Sequence, residues 1–309
     1  MRQILLKSNR FFYQQKVKYK KQGNFIWYFF ELSRRISQIL FNAYLKIYKA
    51  LDLYPHRLNG NSEIVISLTS FPKRIDVVWG AIDSMFHQDI QPGKICLYLS
   101  KEEFPNERVG LPNRLLNYEK LGLEICFRPY NLMPHTKYYY ALQEHTDKCV
   151  ITIDDDVYYQ SDIIKNLWNL HLTNPEAVCA NKANMIKLNE FGEFPPYREW
   201  GVATDGKSHS RLALGVAGVL YPPHRYEGNG MFDIDNIKRL SLKADDLWLK
   251  IHEIRNDIMV VNNDYCFNGL TLDNSNFVSL NASNVGSGQN DIQWKALSDY
   301  YDVNTEIFK

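Results

Sequence analysis

Phe25, Phe29, Leu32, Ile36, Ile39, Leu40, Ala43, Ile47 and Leu51 recur at intervals of three and four within residues 24–55. That period places side chains on one face of an α-helix. Arg34, Arg35, Lys46 and Lys49 fall largely off the stripe, and Pro55 helps to end it. Residues 1–22 are basic and polar and are expected to be mobile. From residue 63 the pattern changes. The runs EIVISL (63–68), KICLYLS (94–100), LEICF (123–127) and KCVITI (148–153) read as strands, and residues 76–87, 113–120, 136–145 and 161–171 read as helices. Such alternation predicts an α/β fold with a mostly parallel sheet covered on both faces. Ligands of such sheets sit beyond the carboxyl ends of the strands, near the point where strand order reverses. The second half is less regular. It reads as two short strands in 176–188, a long binding loop or lid over 190–212, and a small apolar run over 212–223. There Gly215 and Gly218 allow close backbone approach. Helices follow at 233–240, 244–255 and 288–300, while Gly228-Asn229-Gly230 and Gly286-Ser287-Gly288 read as turns.

Charge divides the chain at about residue 60. Residues 1–60 carry 12 Lys or Arg and two acids, and the remaining 249 carry 24 and 33. A basic helical extension (1–60) is thus joined to an acidic body (61–309). Two readings of the stripe at 24–52 stand side by side. One is contact with an anionic membrane surface, where each nearby cation contributes about 1 kcal/mol. The other is packing on the body or on a second copy. Five scattered cysteines without a CxxC argue for a reducing compartment and against structural zinc. No apolar stretch reaches the length of a membrane span, and the N-terminus has no signal-peptide pattern. The expected location is therefore cytoplasmic, peripheral to the inner face of the membrane. The acidic body and the absence of a recognised binding module exclude nucleic acid as a partner.

The strongest chemical signal is Asp154-Asp155-Asp156, directly after the strand Ile151-Thr152-Ile153. Strand alternation lets Asp154 and Asp156 face one side while Asp155 points away. Two such carboxylates repel, and a divalent cation relieves the conflict; Mg²⁺ or Mn²⁺ takes one or two carboxylates together with substrate phosphates. A solvated acidic turn capping the next helix is the alternative. Asp245-Asp246 opens the helix at 244–255. It reads either as a pair of capping acids or as a source of a general base for an attacking hydroxyl. GxxxxGK[ST] and GxSxG are both missing, which argues against a P-loop kinase and a serine hydrolase.

Over residues 62–260 the chain resembles GT-A glycosyltransferases, and within them the family-two type of bacterial polysaccharide assembly. EIVISLTSFPKRI (63–75) looks like the first strand and the loop that receives the nucleotide. WGAIDSMFHQDIQPGKICLYLS (79–100) is similar to a helix and second strand of that family. Asp154-Asp155-Asp156 looks like its Asp-x-Asp motif, and Asp245-Asp246 sits where it often carries Glu-Asp. The resemblance implies a GT-A fold with a donor half over about 61–157 and an acceptor half over about 158–309. It implies donor contacts at Thr69, Phe71, Arg74, Lys137 and Asp154, a Mn²⁺ or Mg²⁺ site at Asp154 and Asp156, and a base at Asp246 or Asp245. Trp200, Tyr197 and Gly218 would shape the acceptor site, and His224 or His252 would supply a third metal ligand. The implied reaction is inverting transfer from a nucleotide sugar, by default a uridine diphosphate sugar, to a glycan or lipid-linked acceptor. A nucleotidyltransferase and an inactive scaffold are the alternatives. The first of these should carry a glycine-rich loop after its first strand, and residues 69–74 contain no glycine.

Overall fold

The four apolar runs of the first half lie side by side. In the computed structural model, which describes residues 1–226, 228, 230–272 and 288–308, β1 (Asn61–Thr69) is followed by α3 (Trp79–Phe86), β2 (Pro92–Ser100), α4 (Asn113–Glu119), β3 (Leu123–Arg128), α5 (Thr136–Glu144) and β4 (Cys149–Thr152). Two helices precede them, α1 (Arg2–Lys21) and α2 (Ile26–Ala50). After β4 come β5 (Val157–Tyr158), α6 (Ile163–Thr173), β6 (Val178–Ala180) and β7 (Ala183–Met185). The expected loop over 190–212 holds the short strands β8 (Gly201–Val202), β9 (Gly206–Ser208) and the start of β10 (Arg211–Ala213). The chain continues through β11 (Val219–Tyr221), α7 (Ile234–Leu240), α8 (Asp245–Arg255), β12 (Val260–Asn262), β13 (Leu270–Thr271) and α9 (Gln289–Tyr300). Asn229, Gly286 and Ser287, from the two expected turns, lie outside the described residues.

The main sheet has the order β3-β2-β1-β4-β11-β6-β12-β9. Pairing is parallel from β3 through β4, with Ile66 opposite both Ile95 and Ile151. β11 runs antiparallel between β4 and β6, β12 returns parallel to β6, and β9 closes the edge antiparallel. Because side chains alternate along a strand, Ile64, Ile66 and Leu68 join the core under α2, α3 and α6. Val65 joins the opposite core with Tyr98, Tyr138 and Trp248. Strand order reverses between β1 and β4, and that crevice is where the site forms.

The N-terminal segment corrects one expectation. Residues 2–21 form a helix packed along α2. Its stripe is thin, with only Leu6 and Asn9 fully buried, and polar contacts to distant residues hold it. The Asn9 amide donates to Ser37 Oγ and the Arg34 carbonyl, and accepts from Asn268. Arg10 pairs with Asp162 and Lys16 with Glu31. Those partners lie far away in sequence, so no local period could reveal them. α2 reaches the body through Ser37, Phe41, Leu45 and Tyr48, with Phe41 edge-on to Tyr158 at 4.9 Å and Tyr48 stacked on Trp79. Arg114 pins the end of α2. It donates to the Leu53 carbonyl and its guanidinium lies 4.2 Å from the Trp79 ring centroid, a cation–π contact. The stripe read from the sequence is therefore the other face of α2, and it points outward: Phe29, Leu32, Ile36 and Ile39 are all exposed. Among the described residues no helix is long and apolar enough to cross a membrane.

Phe41 is fully buried at the joint between hairpin and body. Phe41→Ala should lower unfolding free energy by about 3–5 kcal/mol, as emptied aromatic sites do. Urea denaturation followed by tryptophan fluorescence checks this, and a loss below about 1 kcal/mol would mean that the hairpin contributes little to the fold.

Candidate active site

Neighbouring parallel strands that end together bring their following loops together. β1 ends at Thr69 and β4 at Thr152, with Ser67 opposite Thr152, and the Ile153 N–H donates to the Ser67 carbonyl. Residues 70–74 and 154–156 thereby face each other. α5 lies over β1, and the Ser67 hydroxyl donates to the Lys137 carbonyl, which fixes the first turn of α5 above the strand end. The start of α8 contributes Asp245 and Asp246 from the far side of the crevice. β13 pairs with β5, and the Leu272 N–H donates 2.8 Å to the Asp156 carbonyl, so the acidic turn is held from behind.

Two cations tie these loops together. Lys137 Nζ lies 2.8 Å from Asp154 Oδ1 and 2.9 Å from Asp245 Oδ2. Arg74 Nη1 lies 2.8 Å from Asp155 Oδ1 and 3.0 Å from Asp156 Oδ2. Ser70 Oγ donates 2.6 Å to Asp155, and Asp246 accepts from the Gly215 N–H at 3.2 Å. A Cβ at Gly215 would lie 3.0 Å from Lys137 Nζ and 3.1 Å from Asp246 Oδ1, so only glycine leaves the two groups undisturbed. Five carboxylates against two cations leave a formal excess of three negative charges when all are ionised.

The proton affinities follow from that imbalance. Burial disfavours the Lys137 ammonium, but Asp154, Asp245 and Asp246 outweigh it and raise its pKa well above the ordinary value. Asp245 is disfavoured by burial too, yet Lys137 and His135 hold it below the usual carboxylate range. Asp246 lacks a bonded cation. Burial, then the charge of Asp245, raises it well above the ordinary value, with Lys137 opposing. Asp156 is pushed up to about 6 by burial and by Asp154, and Arg74 offsets only part of this. Unequal protonation is the expected response of crowded carboxylates.

Most of the residues singled out from the sequence meet here. Thr69 Oγ1 bonds the Tyr98 carbonyl at the strand end, and Phe71 lies beneath the Arg74 guanidinium at 5.4 Å. The Tyr197 phenol is raised by burial first, then by the charges of Asp246 and Asp245. Other expectations are corrected. Asp155 does not point away, because the strand stops at Thr152 and alternation lapses with it; Asp155 is the buried anchor of Ser70 and Arg74. Trp200 is buried, bonds the Pro195 carbonyl and packs against Tyr197 and Trp294, so it supports Tyr197 from behind. Gly218 has φ +88°, and a Cβ there would meet Asn181, Ile163 and Leu167, away from the carboxylates. His224 is exposed after β11, where its N–H bonds Thr146 near the start of β4; that is the opposite end of the strand from Asp154. His252 is fully buried against Trp248 and Tyr301, about two helical turns beyond Asp245. Neither histidine reaches the acidic turn. Ser70 and Gly215 complete the site; Gly215 was legible as a close-approach glycine, and Ser70 carried no signal.

Among the described residues no three His, Cys, Asp or Glu side chains form a ready-made metal cage. The donor set nevertheless suits a hard divalent cation that keeps waters and takes substrate phosphates. Asp154 and Asp156 retain side-chain exposures of 29% and 27%, and the charge excess favours one more dication.

No protein-family model matches the chain, and no curated protein matches it. Solved structures with similar coordinates include the mannosyltransferase PcManGT from Pyrobaculum calidifontis in complex with GDP-Man and Mn²⁺. It is 11% identical over 74% of this chain and 63% of its own, with a TM-score of 0.42. Residues 1–349 of TarS from S. aureus are 12% identical over 66% and 59%, also at 0.42. A CMP:2-keto-3-deoxy-manno-octonic acid synthetase complexed with CTP is 8% identical over 65% and 89%, at 0.40. The chain spans about three fifths of the length of the first two.

The Asp156 shift sets a stability prediction. Its folded pKa of about 6 exceeds the ordinary 3.8, so the unfolded chain loses this proton first. The native state loses relative stability as pH rises from about 4 to 6 and does not regain it above. Asp156→Asn removes that penalty. In metal-free buffer its advantage over wild type should grow from near zero at pH 4 to about 1–3 kcal/mol at pH 7. Urea titrations across that range test it, and a constant difference would refute the assignment.

Proposed function

We propose that this chain is a metal-dependent inverting glycosyltransferase of GT-A type. It moves a sugar from a nucleotide-sugar donor, by default a uridine diphosphate sugar, to a hydroxyl of a glycan or lipid-linked acceptor in cell-surface polysaccharide synthesis. The observation that carries this reading is the convergence of Asp154, Asp155, Asp156 and Asp245 on Lys137 and Arg74 at the carboxyl ends of β1 and β4, with Asp246 beside them on the Gly215 N–H. Its five unpaired thiols suit a cytoplasmic reaction.

Thr69, Phe71 and Arg74 border the nucleotide pocket, and Lys137 stands where a donor phosphate or sugar hydroxyl would meet it. Asp154 would contact the donor ribose, and Asp154 and Asp156 would hold the metal. When bound, Mn²⁺ or Mg²⁺ supplies positive charge against the departing diphosphate. Between the two candidate bases, Asp245 is locked by Lys137 and holds its proton weakly. Asp246 has the higher proton affinity and keeps only one backbone donor. Asp246, which keeps only the Gly215 N–H as a bonded donor, is the base in its ionised form: it takes the acceptor proton as the acceptor oxygen bonds the anomeric carbon and the bond to the diphosphate breaks. One displacement inverts that carbon. Tyr197 and Gly215 form the acceptor wall. The absence of a glycine in residues 69–74 to wrap a triphosphate counts against the nucleotidyltransferase alternative.

Release of nucleotide from UDP-, GDP- and CMP-linked sugars should require Mn²⁺ or Mg²⁺, stop with EDTA and be lost in Asp156→Ala. Asp246→Asn should keep donor binding and lose roughly 10²–10⁴-fold in transfer. A folded wild type that binds none of these donors with metal present would sink the proposal and favour the inactive scaffold.

A further inference from the structure

We infer that the outward face of the α1–α2 hairpin docks on an anionic bilayer surface. α2 holds the body with Ser37, Phe41, Leu45 and Tyr48, and the stripe it leaves outside is continuous. Phe25 is 82% exposed, Phe29 63%, Leu32 59%, Ile36 50%, Ile39 66% and Ile47 59%. A soluble surface rarely leaves so many large apolar side chains in one row. The row follows a helix about 37 Å long, and that helix is too polar to cross a membrane. Such a helix lies in the interface plane with its apolar face down.

The flanking charge selects the occupant. Phe25, Phe29, Leu32, Ile36, Ile39 and Ala43 also follow a 4-3 spacing that could seat a second copy of α2. In a coiled coil the adjoining positions carry paired opposite charges, but here the charged ones are Arg35 and Lys49, both cations. A twin would find no opposite charge at those positions to pair with. The single acid of α2, Glu31, is already bonded to Lys16, Arg34 and Arg35, which hold it below the usual carboxylate range despite its burial. At the tip of the hairpin Lys18, Lys20 and Lys21 are exposed, and Trp27 stacks on Tyr28 at 3.7 Å. Aromatic rings beside cations and an apolar row match lipid headgroups of negative charge over hydrocarbon. This inference does not depend on the transfer reaction.

Co-sedimentation with vesicles of phosphatidylcholine alone, or mixed with phosphatidylglycerol, tests it. The full chain should pellet with the mixed vesicles, less so as salt is raised, and should stay in solution with phosphatidylcholine alone. Ile36→Glu with Ile39→Glu should weaken partition by roughly tenfold or more, and Lys18→Gln, Lys20→Gln and Lys21→Gln together should weaken it on mixed vesicles. These side chains are exposed, so the urea midpoint and donor hydrolysis in solution should stay at wild-type values; loss of hydrolysis in every protein would indict the transferase reading alone. The inference is overturned by a folded wild type that stays in the supernatant, by equal binding to both vesicles, or by an Ile36/Ile39 variant that turns a dimer into a monomer while its partition is unchanged.

Discussion

Burying an ammonium group costs several kcal/mol unless carboxylates meet it at close range. Lys137 is 6% exposed at its side chain and touches Asp154 and Asp245 at once. Three elements are fixed by that demand: α5, which carries the lysine, the turn after β4 and the first turn of α8. Arg74 does the same for the loop after β1. Removing either cation would leave like charges facing each other in a low-dielectric crevice, so the carboxylates can stand this close only because both cations are present. Each cation remains one charge short of its partners.

A buried carboxylate away from these loops organises the opposite face of the sheet. Asp83 on α3 accepts from Tyr118 and Tyr158, each at 2.8 Å, and His87 lies 3.4 Å away. Burial keeps the His87 pKa down at about 4 although Asp83 pulls it upward, so the imidazole is neutral at pH 7. Tyr158 belongs to β5, just beyond the acidic turn, and its ring also receives Phe41 of α2. The same tyrosine thus joins the helical extension, the core and the segment that carries Asp156.

What could be read ahead of the fold was whatever repeats locally. Ile64, Ile66 and Leu68 alternate, so β1 was legible; the stripe from Phe25 to Leu51 recurs at helical spacing, so α2 was legible. Which way that stripe faced was not, because the face that binds the body is Ser37, Phe41, Leu45 and Tyr48, shorter and marked by a serine. α1 was missed since its fixing contacts, Asn9 to Asn268 and Arg10 to Asp162, span much of the chain. In the site, Asp154, Asp156, Asp246, Arg74 and Lys137 were identifiable by residue type and position after strands or at helix starts. The role of Asp155 was not, because alternation was carried three residues past the end of β4 at Thr152. Trp200 was drawn toward the ligand by its aromatic character, whereas its N–H found Pro195 and its ring found Trp294.

The bond from Asn268 to Asn9 has a geometric consequence. Asn268 lies two residues before the strand that pairs with Val157–Tyr158, and Leu272 just beyond it grips the Asp156 backbone. Hairpin and acidic turn are consequently tied to the same short strand. Whatever surface the hairpin rests on therefore sets the compass bearing of the aspartates as well.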